Sequence, residues 1–226
     1  MSVLIFIDQA DGQVKKSSLE AMSYGAKIAD QLNTTTEGVV LGTVTEDLAA
    51  LGKYGVKKIH HVSNEALNAF DAQLFTRVIA QVAEANGSSV IVFSNNMDGK
   101  AIAPRLSVRL KAGLVSGAVA LPETNDGFIV KKNVFSGKAF ANIAVDTQVK
   151  IITLNANAYK IAEVGGTAEV VPFEARVDTA KIKVTQTNKA SGEVPLTEAG
   201  IVVSGGRGLK GPENWGIVED LAKVLH

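Results

Sequence analysis

The sequence predicts an α/β protein with a mostly parallel sheet, helices on both faces of that sheet, and an antiparallel extension. First, short continuous apolar runs alternate with segments of helical periodicity up to residue 121, a pattern typical of parallel strands buried on both faces. Second, later apolar runs follow one another with only turn residues between them, which favours antiparallel pairing. Third, a glycine-rich turn near residue 206 separates a strand-like run from a helical one. This turn predicts the first strand and helix of a second α/β domain.

Composition narrows the class of protein. The 226 residues are 46% hydrophobic, enough for one sizeable core, and 23 basic residues balance 23 acidic ones. That balance argues against a broad nucleic-acid or polybasic membrane surface. The chain has no cysteine and three histidines, so we expect no disulfide, no thiolate chemistry and no metal site. The apolar runs are shorter than a membrane span, and the first residues carry no basic leader. We expect a soluble intracellular protein whose redox chemistry, if any, belongs to a bound cofactor.

The first part of the chain is expected to form four strand–helix pairs. Each strand is an apolar run rich in β-branched residues, and each helix repeats apolar residues at intervals of three and four. Ser17 and Ser18 can cap the first helix, whereas Asn86-Gly87 and Gly113 end the third and fourth helices. The predicted strands are 3–7, 38–44, 58–62 and 89–93, and the predicted helices are 17–32, 46–53, 70–85 and 100–111.

The alternation of predicted strands and helices stops after the next predicted strand, at 115–121. Turn residues, including Asn125-Asp126-Gly127, then separate apolar runs without a helix between them. The strands expected in this antiparallel extension are 128–130, 134–138, 141–145 and 150–154. The predicted organisation is therefore an α/β amino-terminal domain at 1–173, a polar linker strand at 174–198, and the start of a second domain at 199–226.

The most informative stretch follows a predicted strand at 199–204 and opens a predicted helix at 212–225. Its Gly206-x-Gly208-x-x-Gly211 spacing fits the dinucleotide-binding fingerprint, in which glycines let the backbone approach a phosphate at a helix start. A flexible turn between domains is the alternative. One strand and one helix cannot bury their own apolar faces. The segment therefore either packs on the first domain or continues in a longer natural protein, and we favour the fragment.

Several stretches resemble the electron transfer flavoprotein α subunit, in order over essentially the whole chain. The run Ser204-Gly205-Gly206-Arg207-Gly208-Leu209-Lys210, followed by Glu213-Asn214, is similar to the opening of that family's FAD domain. Gly99-Lys100 with Pro104-Arg105-Leu106, and then 112–116, are similar to the late helix and strand of its first domain. Residues 137–142 resemble a family hairpin. The glycine-rich run is specific, and the others support it.

The resemblance implies a Rossmann-like first domain without flavin, packed against a β subunit that binds AMP, and a second domain that holds FAD. The chain would be an electron carrier from dehydrogenases, such as the acyl-CoA dehydrogenases of fatty acid β-oxidation, to a quinone oxidoreductase. It would not be an enzyme, because the redox chemistry belongs to FAD and no substrate bond is broken. Neither nucleic acid nor membrane insertion is expected. The expected location is the bacterial cytoplasm, or the mitochondrial matrix if a leader has been removed.

The cofactor-binding residues implied by the resemblance lie in the glycine-rich run: Ser204, Gly206, Arg207, Gly208 and Lys210. Arg207 matches the family arginine that lies against the flavin ring, where a guanidinium favours an anionic reduced form. The alternative is that Arg207 caps the loop or forms an ion pair within it. Ser204 and the glycines would act through backbone shape, and Lys210 would reach a phosphate or lie in solvent. No residue is assigned a catalytic role.

Other parts of the chain offer weaker candidates. His60 and His61 are adjacent in a strand, so their rings point to opposite faces and a structural role is expected. Residues 94–100 lie where α/β sheets bind ligands. Three roles are open for these residues: a vestigial nucleotide site, part of a partner interface, or a helix start capped by Asp98. The same alternatives apply to the acidic residues near the end of the first strand, Asp8 and Asp11.

Two functions from other classes stay open. The chain would be a complete, non-redox adenine-nucleotide-binding module if AMP or ATP bound near Asp8, Gly42 and Ser94. It would be an assembly subunit if it bound a partner and no ligand. Separately, Arg105 and Arg109 are expected to form a solvated or interface face of a helix. The module leaves the glycine-rich run and the unfinished strand–helix pair unexplained, which favours the flavoprotein.

Overall fold

The computed structural model describes residues 1–180, 182, 184–186, 196, 199 and 201–225. The chain divides into two compact units, Met1–Thr185 and Gln186–His226. The strands of the first unit are β1 (Ser2–Phe6), β2 (Gln9–Ala10), β3 (Gln13–Val14), β4 (Thr35–Leu41), β5 (Lys58–Val62), β6 (Ser88–Ser94), β7 (Gly113–Ala118), β8 (Ile129–Val134), β9 (Ala139–Ala144), β10 (Lys150–Leu154) and β11 (Glu169–Pro172). Its helices are α1 (Lys16–Gln31), α2 (Ala72–Ala85) and α3 (Met97–Leu110), with short 3₁₀ turns at Leu48–Tyr54 and Glu65–Leu67.

The main sheet has nine strands in the order β11-β5-β4-β1-β6-β10-β7-β8-β9. All pairs from β11 to β7 are parallel, and the β7–β8 and β8–β9 pairs are antiparallel. Strands β2 and β3 form a separate small hairpin. The predicted fold class, a mostly parallel sheet with an antiparallel extension, is confirmed.

The core lies on both faces of the sheet. Along β1, Val3 and Ile5 pack with residues of α1 such as Tyr24, whereas Leu4 and Phe6 pack against the cluster that contains α2 and α3. All five residues are buried. Because helices cover both faces, both alternating sets of side chains must be apolar. This is why the central strands show continuous apolar runs in the sequence.

The strand at 150–154 forms as predicted, but its assignment to the antiparallel extension is wrong. This strand, β10, lies between β6 and β7 and pairs in parallel with both. Four of its five residues are buried. The β8–β9 hairpin lies between β7 and β10 in the chain, where parallel strands usually have a crossover helix. The absence of a helix therefore did not indicate antiparallel pairing.

The strand predicted at 134–138 is also wrong. Strand β8 ends at Val134, and Phe135, Ser136 and Gly137 adopt φ angles of 51°, 54° and 85°, which lie outside the β region. These residues form the turn of the β8–β9 hairpin. The turn predicted at Asn125-Asp126-Gly127 is present, and an antiparallel bridge between Glu123 and Ile129 closes it. The edge strand β11 was not predicted.

The second unit contains α4 (Gly216–Leu225), preceded by 3₁₀ turns at Arg207–Leu209 and Pro212–Asn214. Of the strand predicted at 199–204, residues 199 and 201–204 are described, and none of them is in a strand. A strand is held by hydrogen bonds to a neighbouring strand. The described part of this unit contains no strand that could be that neighbour.

The predicted linker strand at 174–198 is described mainly at residues 174–180, which are not in a strand. Most of its other residues lie outside the described ranges. Phe173, Ala175 and Val177 pack against the α2–α3 side of the core, so the chain after β11 still belongs to the first unit. The predicted domain boundaries stay a prediction. Over the described ranges, no helix is long and apolar enough to cross a membrane.

Candidate functional site

The structure brings the five predicted cofactor residues together in one exposed loop before α4. Gly206 precedes the 3₁₀ turn at Arg207–Leu209, and Lys210 ends that turn with a φ of 66°. Neither Arg207 nor Lys210 forms a side-chain hydrogen bond or ion pair with another described residue. The alternative role of Arg207, an ion pair within the loop, is therefore not seen among those residues. Contact between Arg207 and a flavin stays a prediction.

The four glycines of the loop differ in the space around them. A Cβ on Gly205 would lie 2.3 Å from Cδ1 of Leu209, and a Cβ on Gly211 would lie 2.3 Å from Oε2 of Glu213. Both atoms are the ends of flexible side chains, so a Cβ at either position would require the Leu209 or Glu213 side chain to move. A Cβ on Gly206 or on Gly208 would meet no atom within 4 Å. The described protein gives no internal reason for glycine there, and the space beside both positions is open to a ligand.

These features fit the approach of a phosphate or a flavin to the loop backbone. The Asn214 Nδ2 group donates to the carbonyl oxygen of Leu209 at 2.8 Å, which ties the loop to the start of the helical segment. No residue in the range 201–225 is buried, so these residues alone do not enclose a flavin ring. The loop would supply backbone N–H groups and one guanidinium, and other residues would supply the walls of the site.

A second polar cluster lies at the carboxyl ends of the neighbouring strands β1 and β6. Lys15 Nζ donates to Oδ2 of Asp8 and to Oδ2 of Asp98, both at 2.8 Å. Asn96 Nδ2 donates to the same oxygen of Asp8 at 2.7 Å. Asp8 follows β1, and Asn96 and Asp98 follow β6. The structure therefore joins two of the predicted candidates, Asp8 and the run 94–100, through Lys15, which the sequence analysis missed.

Burial and ion pairing act in opposite directions on the pKa values of Asp8 and Lys15 in this cluster. The side chain of Asp8 is 6% exposed, and burial raises the pKa of its carboxyl group although Lys15 opposes that shift. Burial also lowers the pKa of the Lys15 ammonium, but the carboxylates of Asp8 and Asp98 outweigh it and leave that pKa above its ordinary value. Lys15 therefore stays charged at neutral pH and stabilises the ionised form of Asp8.

The helix starts around this cluster differ from those predicted. Asn96, not Asp98, caps α3, because its side chain accepts a hydrogen bond from the Gly99 N–H at 2.9 Å. Asp98 lies in the first turn and binds Lys15 instead. Ser18 does not cap α1: its hydroxyl accepts from the Asp8 N–H and donates to the Asp8 carbonyl. Helix α1 begins after Lys15 without a side-chain cap.

We expect Gly99→Ala to lower the free energy of unfolding of the first unit by about 3 kcal/mol. A Cβ at position 99 would lie 2.0 Å from the carbonyl oxygen of Ser94, and this backbone atom belongs to β6 and cannot move aside. Urea unfolding monitored by circular dichroism measures the loss. Lys100→Ala, on the same turn but exposed, should change stability by less than about 0.5 kcal/mol. Similar losses in both variants would contradict the steric explanation.

Several other polar groups at this edge bind one another. Asn95 Nδ2 donates to Oδ1 of Asn155 at 2.6 Å, and Thr153 Oγ1 donates to Oδ1 of Asn95 at 2.7 Å. Ser94 Oγ donates to the Ser17 carbonyl at 2.9 Å. At Gly42, a Cβ would lie 2.8 Å from Oδ1 of Asn68. The three positions considered for an adenine nucleotide, Asp8, Gly42 and Ser94, are therefore occupied by contacts within the protein.

The other candidates are also placed by the fold. His60 Nε2 lies 2.7 Å from Oε2 of Glu37, and His61 Nε2 lies 2.8 Å from the carbonyl oxygen of Gly42. The two rings thus have separate partners, as a structural role requires. The described residues contain no cluster of three metal-ligating side chains. Two exposed residues on α3, Arg105 and Arg109, form no ion pair with any described acid. Asp11 lies in the β2–β3 turn with a φ of 54°.

Comparison with known proteins agrees with the fold. Residues 3–178 match the electron transfer flavoprotein domain. The chain is 29% identical over 228 residues to the electron transfer flavoprotein subunit alpha of Syntrophomonas wolfei, covering 98% of this chain and 70% of that protein. It is 26% identical over 228 residues to the subunit of the same name in Bacillus subtilis, with 99% and 69% covered. A probable mitochondrial subunit alpha of Cryptococcus neoformans is 28% identical, with 97% and 64% covered.

The fold and these matches define a flavoprotein of the electron-transfer class. The chain belongs to the electron transfer flavoprotein family, as an α subunit. The resemblance found in the sequence is therefore confirmed. The chain spans about 70% of the length of the S. wolfei protein.

Proposed function

We propose that this chain binds FAD as the α subunit of a heterodimeric electron carrier whose β subunit binds AMP. One observation carries the proposal: similarity to proteins named electron transfer flavoprotein subunit alpha extends over 97–99% of the chain, beyond the matched domain at 3–178. The carrier would accept electrons from dehydrogenases, such as acyl-CoA dehydrogenases, and pass them to a quinone oxidoreductase. It would work in the bacterial cytoplasm, or in the mitochondrial matrix if a leader has been removed.

The glycine-rich loop has the features that this role requires. FAD, when bound, supplies the redox chemistry, and the protein tunes it through charge and hydrogen bonds. Arg207 is exposed and has no acidic partner among the described residues, so its guanidinium is available to offset negative charge on the cofactor. Gly206 and Gly208 leave room for the backbone to approach a phosphate. Ser204 and Lys210 would flank that approach.

The first unit would contribute the scaffold rather than a cofactor site. Its ligand-binding edge is closed by the ion pairs of Lys15 and by the amide network around Asn95. No nucleophile and base lie together among the groups discussed above. These contacts support a carrier that breaks no substrate bond itself, because the residues at the usual catalytic edge of an α/β sheet hold the fold together.

The test is to purify the chain together with an electron transfer flavoprotein β subunit from the same organism and to record the visible spectrum. We expect a yellow complex with roughly one FAD per heterodimer, released by acid and identified by chromatography. A colourless heterodimer would leave the assembly-subunit function standing and would contradict FAD binding. A colourless chain that adenosine phosphates stabilise against heat, and that binds no β subunit, would favour the nucleotide module instead.

A further inference from the structure

The two edges of the nine-stranded sheet differ in their chemistry. The β11 edge is four residues long, begins with Glu169 and ends with Pro172, which has no N–H to offer. Charge, proline and short length are the usual means by which an edge strand avoids pairing with another chain. The β9 edge, Ala139–Ala144, is six residues long and contains neither a charged residue nor proline. Only the β9 edge therefore remains open to pairing.

The side chains of the β8–β9 hairpin are also unusually exposed for apolar groups. Phe140 is 61% exposed and Ile143 is 37% exposed, and Phe135 in the hairpin turn is 80% exposed. Phe140 and Ile143 lie three residues apart in one strand, so they project from opposite faces. In the described ranges, no strand pairs with the outer side of β9. An incoming strand would meet open backbone groups and an apolar side chain on each face.

The charge of the hairpin indicates which kind of partner fits. Residues 129–144 contain three lysines, Lys131, Lys132 and Lys138, and no acidic residue. Lys131 Nζ lies 4.5 Å from the centre of the Phe140 ring, and none of the three forms an ion pair with a described residue. Pairing of β9 with a second copy would bring two such hairpins together, and like charges oppose that contact. A strand flanked by carboxylates is the complementary partner.

We propose that the β9 edge of this hairpin is the docking edge for the β subunit, which adds an extended strand flanked by carboxylates. The inference rests on the proposed function, because that function supplies the heterodimer partner. Main-chain hydrogen bonds to β9 would provide affinity, and Phe140 and Ile143 would be covered on the two faces. The lysines would fix the partner's orientation and raise the association rate.

The test measures the affinity of the full chain for the β subunit by titration calorimetry. We expect Phe140→Ser combined with Ile143→Ser to raise Kd by roughly tenfold or more, because exposed aromatic and apolar anchors dominate such interfaces. Val164→Ser, at a residue that is 69% exposed in the same unit, is the matched control and should leave Kd unchanged. Circular dichroism and thermal unfolding establish that each variant is folded.

Two further readouts separate strand addition from general contact. Lys131→Glu combined with Lys132→Glu should weaken binding and reduce its dependence on salt, whereas Lys57→Glu, at another exposed lysine, should do neither. Amide hydrogen exchange in the wild-type complex should slow at residues 139–144 relative to the free chain.

Each alternative result has a defined meaning. Wild-type binding that the hairpin variants leave unchanged, without added protection at 139–144, would overturn the docking edge and keep the proposed function. A wild-type chain that does not bind the β subunit would overturn the proposed function itself. A homodimer of the free chain that the Phe140 and Ile143 substitutions dissociate would assign the edge to a second copy and would also overturn the inference.

Discussion

We expect Lys15→Met to lower the free energy of unfolding of the first unit by about 3 kcal/mol at neutral pH. Methionine keeps most of the side-chain volume but removes the ammonium group that binds Asp8 and Asp98, both at 2.8 Å. The carboxylate of Asp8, whose side chain is 6% exposed, would stay buried without its cation. This expected loss lies at the low end of the range for a broken buried ion pair because the Lys15 side chain is 21% exposed.

Urea unfolding of wild-type and variant proteins measures this loss, and two controls show its cause. Lys100→Met removes an exposed lysine without an acidic partner in the described chain and should change stability by less than about 0.5 kcal/mol. Lys15→Met combined with Asp8→Asn should recover part of the loss, because no buried charge is then left unpaired. A loss that the double variant does not reduce would show that Lys15 acts through packing alone.

The pH dependence of the same variant checks the electrostatic explanation. The folded-state pKa of Asp8 is raised above 3.8, so the folded state binds this proton more tightly than the unfolded state. The associated stability is fully present below the unfolded-state pKa and is lost as pH rises through the folded-state pKa. Removing Lys15 raises the Asp8 pKa further. The difference in stability between wild type and Lys15→Met should therefore shrink as pH falls from neutral into the acid range, and a constant difference would contradict this account.

Much of the fold follows from the sequence because burial on both faces of a parallel sheet requires continuous apolar strands. The strands predicted at 58–62 and 150–154 have the bounds found in the structure. The pairing partners of the strands are harder to predict from the sequence, because the apolar character of a strand does not indicate which strand lies beside it. The β8–β9 hairpin replaces a crossover helix, and this is why β10 was placed in the wrong part of the sheet. The turn at 135–137 was missed because Phe135 is a residue typical of strands.

The candidate sites were predictable to different degrees. The glycine-rich loop could be found because all the glycines of the fingerprint lie within six residues of sequence. The cluster of Asp8, Lys15 and Asp98 depends on residues brought together by the pairing of β1 with β6. The one sequence signal was a lysine at the start of a predicted helix, where a cation is unfavourable unless an acid lies nearby. That signal indicates a partner but not which acid provides it.

In the complex with the β subunit, we expect Arg207→Ala to weaken FAD binding by roughly tenfold or more, since it removes a charge-assisted contact. The reduction potential of the bound flavin should also fall, because the guanidinium would offset the negative charge that reduction places on the ring. The prediction rests on the proposed function and on an arginine that is exposed and has no acidic partner among the described residues. Fluorescence titration with FAD and a spectroelectrochemical titration provide the two measurements.

Matched variants decide whether position 207 needs a positive charge or a guanidinium. Arg207→Lys keeps the charge and should restore most of the potential but less of the affinity, because an ammonium lacks the planar fork of donors. Lys223→Ala removes a cation of α4 whose ion pair with Asp220, at 3.4 Å, is exposed, and it should change neither quantity. If Arg207→Ala binds FAD with wild-type affinity and potential, the guanidinium does not contact the flavin. The open space beside Gly206 and Gly208 would then be the feature through which the loop meets the cofactor.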